Sequence, residues 1–143
     1  TPKAIALYPS LCFFEGTKVS VGRGTDTPFE IIGYPDYYDK TFSFTPRAIK
    51  GVSDNPMYKG KKCYGMKDLK VQKKELDLSF LIKMYKTANK KEDFFNSFFD
   101  KLAGTDQLRK QIEKGLSQEE IKLSWQKDIE KFKKIRQKYL LYQ

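Results

Sequence analysis

Apolar residues come in short runs or alternate over the first half of the chain and recur at helical spacing over the second. Ile5 to Phe14 is an apolar run broken by Pro9-Ser10 and closed by Gly16. Proline in a first turn and glycine just past the end predict a short helix from about Ser10 to Glu15. Pro28 to Tyr34, with Phe29, Ile31 and Ile32 and an end at Gly33 and Pro35, reads as a strand. The strict alternation of Phe42-Ser43-Phe44-Thr45-Pro46 predicts a second strand with one face buried. Residues 50–61, with Gly51, Asn55, Pro56, Gly60 and scattered lysines, are loop by composition. Between Lys62 and Gln72, Cys63, Met66, Leu69 and Val71 alternate imperfectly with polar residues, which predicts a third strand carrying a bulge.

Beyond that point the period changes. Leu78, Leu81, Ile82 and Tyr85, with Leu76, Phe80 and Met84 beside them, make a broad apolar helical face. Phe94, Phe95, Phe98, Phe99 and Leu102 repeat at helical spacing behind Glu92 and Asp93, whose charge complements a helix N-terminus; Gly104 ends that helix. Thr105 caps a short helix that runs to Lys114 and stops at Gly115. Ser117 and Glu120 form a capping box that opens a long helix striped by Ile121, Trp125, Ile129, Phe132, Ile135 and Tyr139. Four phenylalanines at such spacing read as core, and so does Trp125. The implied fold class is α+β, a small sheet of about three strands covered by three to four helices, with a helical C-terminal half. With no internal repeat and no linker, residues 1–143 read as a single domain.

Composition narrows the chemistry. A chain of 143 residues with 39% hydrophobic and 15% aromatic content can bury a core without staples. Histidine is absent, which excludes Ser-His and Cys-His nucleophile systems and removes the commonest metal ligand. Catalysis would have to run on carboxylates, Tyr, Lys or Cys. The formal charge of +10 suits an anionic partner, and it also serves simple solubility. Cys12 and Cys63 are too few for a disulfide framework and lack metal spacing; Cys12 reads as a small buried hydrophobe, and a single bridge between the two stays open. No metal or cofactor is predicted. No stretch has the length of a transmembrane helix, and the start at Thr1-Pro2-Lys3, with neither Met nor signal peptide, reads as the middle of something larger.

The segment richest in site chemistry is the loop from Glu15 to Thr25. Its glycines permit positive φ and close approach to a ligand, while Glu15, Ser20, Arg23 and Thr25 supply directional donors and acceptors. It is not a phosphate loop, because Gly24-Thr25 lacks the preceding lysine and the following helix. Nor is it a dinucleotide fingerprint, since the strand follows the glycines. A plain surface turn is the alternative reading.

Leu7-Tyr8-Pro9-Ser10, Phe14-Glu15-Gly16-Thr17, Val19-Ser20, Gly22-Arg23-Gly24-Thr25 and Pro28-Phe29 together resemble the signature of the NamZ-type exo-β-N-acetylmuramidases. These bacterial enzymes release terminal N-acetylmuramic acid from peptidoglycan fragments. The resemblance continues through Tyr58-Lys59-Gly60, Cys63-Tyr64-Gly65, the run from Phe99 to Leu108, Trp125 and the Arg136 to Tyr142 segment. It implies the C-terminal domain of a two-domain glycoside hydrolase whose Rossmann-like N-terminal domain is absent. The cleft would lie between the two domains, so this chain would supply one wall and be inactive alone. It also implies a periplasmic or extracellular bacterial location.

On that resemblance Glu15 is the candidate catalytic carboxylate, with a second group on the absent domain or substrate assistance by the 2-acetamido group. Arg23 is the candidate clamp for the lactyl carboxylate, and Lys18, Ser20 and Thr25 join it as candidate substrate-binding residues. Lys18 stands where the family pattern more often has asparagine, and Val21 where many members carry an acid. A structural role stands beside each assignment: Glu15 as an acceptor for backbone N–H groups, and Arg23 as a partner of Asp26 or Glu30. Two further functions remain open. One is a non-catalytic carbohydrate-binding or partner-docking domain. The other is a basic nucleic-acid-binding module, suggested by the helix-turn-helix outline from Thr105 onward, although Glu113, Glu119, Glu120, Asp128 and Glu130 interrupt its basic surface.

Overall fold

The computed structural model describes residues 1–70 and 76–140. Helix α1 (Pro2–Leu11) leads into a 3₁₀ turn (Cys12–Gly16), and three short strands follow: β1 (Ile32–Tyr34), β2 (Ser43–Phe44) and β3 (Cys63–Met66). Helices α2 (Ser79–Lys86), α3 (Phe99–Ala103), α4 (Gln107–Glu113) and α5 (Gln118–Gln137) complete the fold. The sheet is antiparallel in the order β1-β3-β2, with Gly33 opposite Gly65 and Phe44 opposite Cys63. This is the expected α+β class with three strands, and five α-helices where three to four were expected.

The first helix starts earlier than expected because its cap is Thr1. The Thr1 hydroxyl accepts from the Ala4 N–H at 3.1 Å, and Pro2 occupies the first turn, where its missing N–H leaves nothing unpaired. Pro9 therefore lies inside the helix instead of opening one, and the Ser10 to Glu15 stretch spans the end of α1 and the 3₁₀ turn. Leu7, Ser10 and Leu11 face inward, and the buried Ser10 hydroxyl accepts from the Asp77 N–H at 2.9 Å, tying α1 to the approach of α2.

Two other expectations change. The strand expected from Pro28 is only Ile32–Tyr34, because Phe29 takes a left-handed φ of 60° and its N–H bonds to Val21 O in a turn. The helix expected over Phe94 to Leu102 is reduced to α3. Lys18 N–H donates to Phe94 O and Asn96 N–H to Gly16 O, both at 3.0 Å, so Thr17 and Phe95 pair as a β-bridge. The Asn96 carboxamide then accepts from Phe98 N–H, and a helix begins only at Phe99. The reading of the four phenylalanines as core holds for Phe94 and Phe99, which are fully buried, and not for Phe98, which is exposed. The third strand ends at Met66, short of its expected span, where Asp68 takes a left-handed φ of 56°; the part of that span over Val71 and Gln72 lies outside the described residues.

The core gathers Leu7, Leu11 and Phe14 with Ile32, Leu78, Leu81, Met84, Phe99, Ile112 and Ile121. Gly16 sits where α3 crosses the 3₁₀ turn: a Cβ there would lie 2.5 Å from Phe99 Cα. At the other end of the domain the capping box of α5 is complete, with Ser117 Oγ accepting from Glu120 N–H and Glu120 from Ser117 N–H. The stripe expected to be core leaves the domain. Ile121 is fully buried and Trp125 half-buried, but Ile129, Phe132, Ile135 and Tyr139 are exposed. From Gln126 to Gln137 the helix extends about 18 Å without cover from the described residues.

Candidate functional site

Residues 17–20 are stitched between two neighbours, and this fixes the start of the glycine loop. On one side lies the Phe94 to Asn96 segment; on the other, Ser20 and Gly33 exchange two backbone hydrogen bonds of 2.8 and 3.0 Å. The buried Thr17 hydroxyl donates to Phe14 O and accepts from Val19 N–H. The chain then turns through Gly22 and Gly24, both with φ near 80°. Gly24 also lies against Arg47 O, 2.6 Å from where a Cβ would sit, so a side chain there is excluded on both counts.

This frame brings Glu15 and Arg23 together. Arg23 Nη2 and Nε donate to the same carboxylate oxygen, Oε1, at 2.6 and 3.0 Å, and the guanidinium carbon sits 5.0 Å over the Phe29 ring. The partner of Arg23 is thus Glu15 and neither Asp26, which binds Arg47, nor Glu30, which binds Lys3 and the Thr1 hydroxyl. Glu15 Oε2 and Arg23 Nη1 have no partners among the described residues. Side by side, a carboxylate oxygen and a guanidinium N–H suit a sugar hydroxyl, which can donate to one and accept from the other.

Glu15 and Arg23 line a cavity of about 190 Å³ with Phe14, Val19, Ser20, Val21 and Met57. Ser20 Oγ accepts from Gly22 N–H at 3.2 Å, which leaves its O–H free to donate. Thr25 is not in the lining: its hydroxyl donates to Gly22 O at 2.6 Å and accepts from Thr27 N–H, so it holds the turn. Lys18 is turned elsewhere. Its ammonium donates to Lys90 O at 2.8 Å and lies 5.4 Å from the centre of the Tyr34 ring, on the wall of a second cavity of about 440 Å³. Tyr34, Asp36, Tyr37, Tyr38, Lys40, Asn89 and Lys90 complete that wall. None of Asp36, Tyr38, Lys40, Asn89 and Lys90 was among the sequence-predicted site residues. Only the fold brings those segments to Lys18.

Burial governs the titrating groups here. Desolvation raises the Tyr34 and Tyr37 phenols, with smaller contributions from Asp36 at Tyr34 and from Tyr38 at Tyr37. Both cysteines are free thiols; burial pushes Cys63 up to about 11 and also raises Cys12, which is half-buried where a fully buried side chain was expected. Around the helix-turn-helix outline, basic groups are paired with acids: Arg109 with Asp100 and Glu113, Lys110 with Asp106, Lys133 with Glu130. That pairing neutralises part of the basic surface there. Among the described residues no helix is long and apolar enough to cross a membrane.

Fold and site together describe a small α+β unit presenting an ion-paired carboxylate on a glycine-turned loop. The chain belongs to the family described as exo-β-N-acetylmuramidase NamZ, C-terminal, whose model matches residues 6–142. It is similar to the peptidoglycan β-N-acetylmuramidase NamZ of Bacillus subtilis (strain 168), with 30% identity over 158 aligned residues that take in 99% of this chain and 38% of that protein. Among solved structures it resembles a DUF1343 family protein from Bacteroides fragilis NCTC 9343, at 47% identity and a TM-score of 0.91, covering 100% of this chain and 42% of the other. The chain therefore spans about two-fifths of the length of these relatives.

Proposed function

We propose that this chain is the cleft-forming C-terminal part of a glycoside hydrolase that releases terminal N-acetylmuramic acid from peptidoglycan fragments, and that it turns over no substrate without the N-terminal domain of its longer relatives. The observation that carries this reading is the incompleteness of the Glu15 cavity. Among the described residues Glu15 is the sole carboxylate in its lining, whereas glycoside hydrolysis uses two carboxylates or one with help from the 2-acetamido group. Its volume of about 190 Å³ is also below the roughly 300–1,000 Å³ of enclosed ligand sites. Exposed apolar surface adjoins it: Ile5 and Tyr8 on α1 stand out from the domain, and Tyr8 packs on the Phe29 ring that supports Arg23. A second wall seated there would enclose the sugar and exclude water.

In this reading Glu15 acts on the glycosidic bond, Arg23 orients it and grips a hydroxyl, and Ser20 donates to the sugar or its amide. Thr25 serves by holding the turn. A peptidoglycan substrate would be met in the periplasm or outside the cell. The test is turnover of a chromogenic N-acetylmuramide by this chain, by the full-length parent, and by the parent carrying Glu15→Gln. The expected pattern is activity in the parent alone. Unchanged activity in the folded Glu15→Gln parent would remove Glu15 from the mechanism, and turnover by this chain alone would refute the shared cleft.

A further inference from the structure

The Glu15–Arg23 pair neutralises itself, so it is poorly suited to hold an anion, and the basic groups gather in the other cavity. Among the described residues, Lys18, Lys40 and Lys90 line it against one carboxylate, Asp36. We propose that this 440 Å³ cavity is a separate binding site for a carboxylate-bearing sugar, with the lysines taking the carboxylate and Tyr38 the face of the ring. The choice of muramic acid among such sugars rests on the peptidoglycan reading; the site itself does not.

Its volume falls within the range of pockets that enclose a ligand. Two of its ammonium groups are fixed in place before any ligand arrives. Lys18 Nζ is held by Lys90 O and the Tyr34 ring, and the Lys18 carbonyl accepts from the Tyr58 hydroxyl at 2.7 Å. Lys40 Nζ donates to Pro35 O at 3.2 Å and sits 3.9 Å from the centre of the Tyr64 ring. An ammonium has three donors, so each keeps N–H groups for a ligand oxygen. Lys90 has no side-chain partner among the described residues.

The remaining wall suits a sugar more than a bare anion. The Tyr38 ring is 57% exposed and is backed by the buried Tyr37 at 4.8 Å between centroids, an aromatic platform of the kind that packs on the apolar face of a pyranose. The Asn89 carboxamide both donates and accepts, as an acetamido group or a hydroxyl requires. Asp36 accepts from hydroxyls and repels ligands of high negative charge, which disfavours polyphosphates.

The test is a titration of the isotope-labelled chain, followed by amide chemical shifts, with N-acetylmuramic acid, glucuronic acid and N-acetylglucosamine. Both acids should shift Lys18, Tyr38, Lys40 and Asn89 saturably, and N-acetylglucosamine, which lacks the carboxylate, should bind about tenfold more weakly. Lys90→Glu, on an exposed side chain, should weaken both acids about tenfold while leaving the rest of the spectrum intact; Lys40→Gln should act the same way, and Leu123→Gln, on the exposed face of α5, should change nothing. Shifts centred on Glu15 and Arg23, equal binding of the neutral sugar, or no saturable shifts with either acid would overturn the proposal. Binding of glucuronic acid alone would uphold the site and detach it from peptidoglycan, an outcome separate from the turnover assay above.

Discussion

Replacing Gly16 by alanine adds one methyl group at the point where the site loop meets α3. The new Cβ would lie 2.5, 2.9 and 2.8 Å from Phe99 Cα, N and Cβ, and backbone cannot swing aside as a side-chain tip can. Relief requires the 3₁₀ turn and α3 to separate by about 1 Å, which strains the Asn96 N–H to Gly16 O bond and its neighbour from Lys18 to Phe94. Overpacking of this kind costs about 2–3 kcal/mol, and two weakened hydrogen bonds add about 1–2. Gly16 is not in a left-handed conformation, so restriction of the unfolded chain returns about 0.7 kcal/mol. The net loss is about 3 kcal/mol, or a fall in Tm of about 10 °C for a domain of this size, read by calorimetry or circular dichroism. Gly51→Ala is the control: its φ is 74° with nothing within 4 Å of the added carbon, so only backbone strain of about 1 kcal/mol applies. If Gly16→Ala lowered Tm no more than Gly51→Ala, the close crossing of α3 over the loop would be refuted.

Glu15→Gln should cost this chain less than about 1 kcal/mol in urea denaturation, because the Arg23 side chain of the pair is half exposed. A much larger loss would make the pair structural and weaken its assignment to the site. Ile121→Ala should cost about 3 kcal/mol from the fully buried start of α5, whereas Phe132→Ala, about 16 Å further along the same stripe, should lie within about 0.5 kcal/mol. Equal losses in thermal melts would mean that the far half of α5 is covered. In alkali, Cys63 keeps its proton in the folded state to about pH 11 while the unfolded thiol loses it near its ordinary value of 9. Its contribution is therefore complete below pH 9 and falls as pH rises toward 11, with the raised Tyr34 and Tyr37 phenols acting in the same direction. Tm measured from pH 8 to 11 should decline, and Cys63→Ser should flatten part of that decline.

Elements signalled by local chemistry were legible in the chain. The capping box of Ser117 and Glu120 marks the start of α5 because its two hydrogen bonds join residues three apart. Gly22 and Gly24 mark a turn because their φ values admit little else. The first helix was misplaced because Pro9 looked like a start signal, while the true cap was a single threonine at the first residue. Phe94 to Phe98 failed for a different reason: helical spacing was present, but the Gly16 to Lys18 segment claimed the backbone groups a helix needs.

Within the candidate site, Glu15, Ser20 and Arg23 were found by residue type and do line one cavity, while Thr25 is committed to the turn and Lys18 faces another cavity. The sequence by itself determined the α+β class, the glycine loop and its supply of polar groups, since these follow from periodicity and from what each residue can donate, accept or adopt. Only the tertiary structure decided that Arg23 closes on Glu15 and that Lys18 meets Lys90, 72 residues away. A side chain's partner is set by which backbone segments pack beside it, and a residue's own chemistry does not specify them.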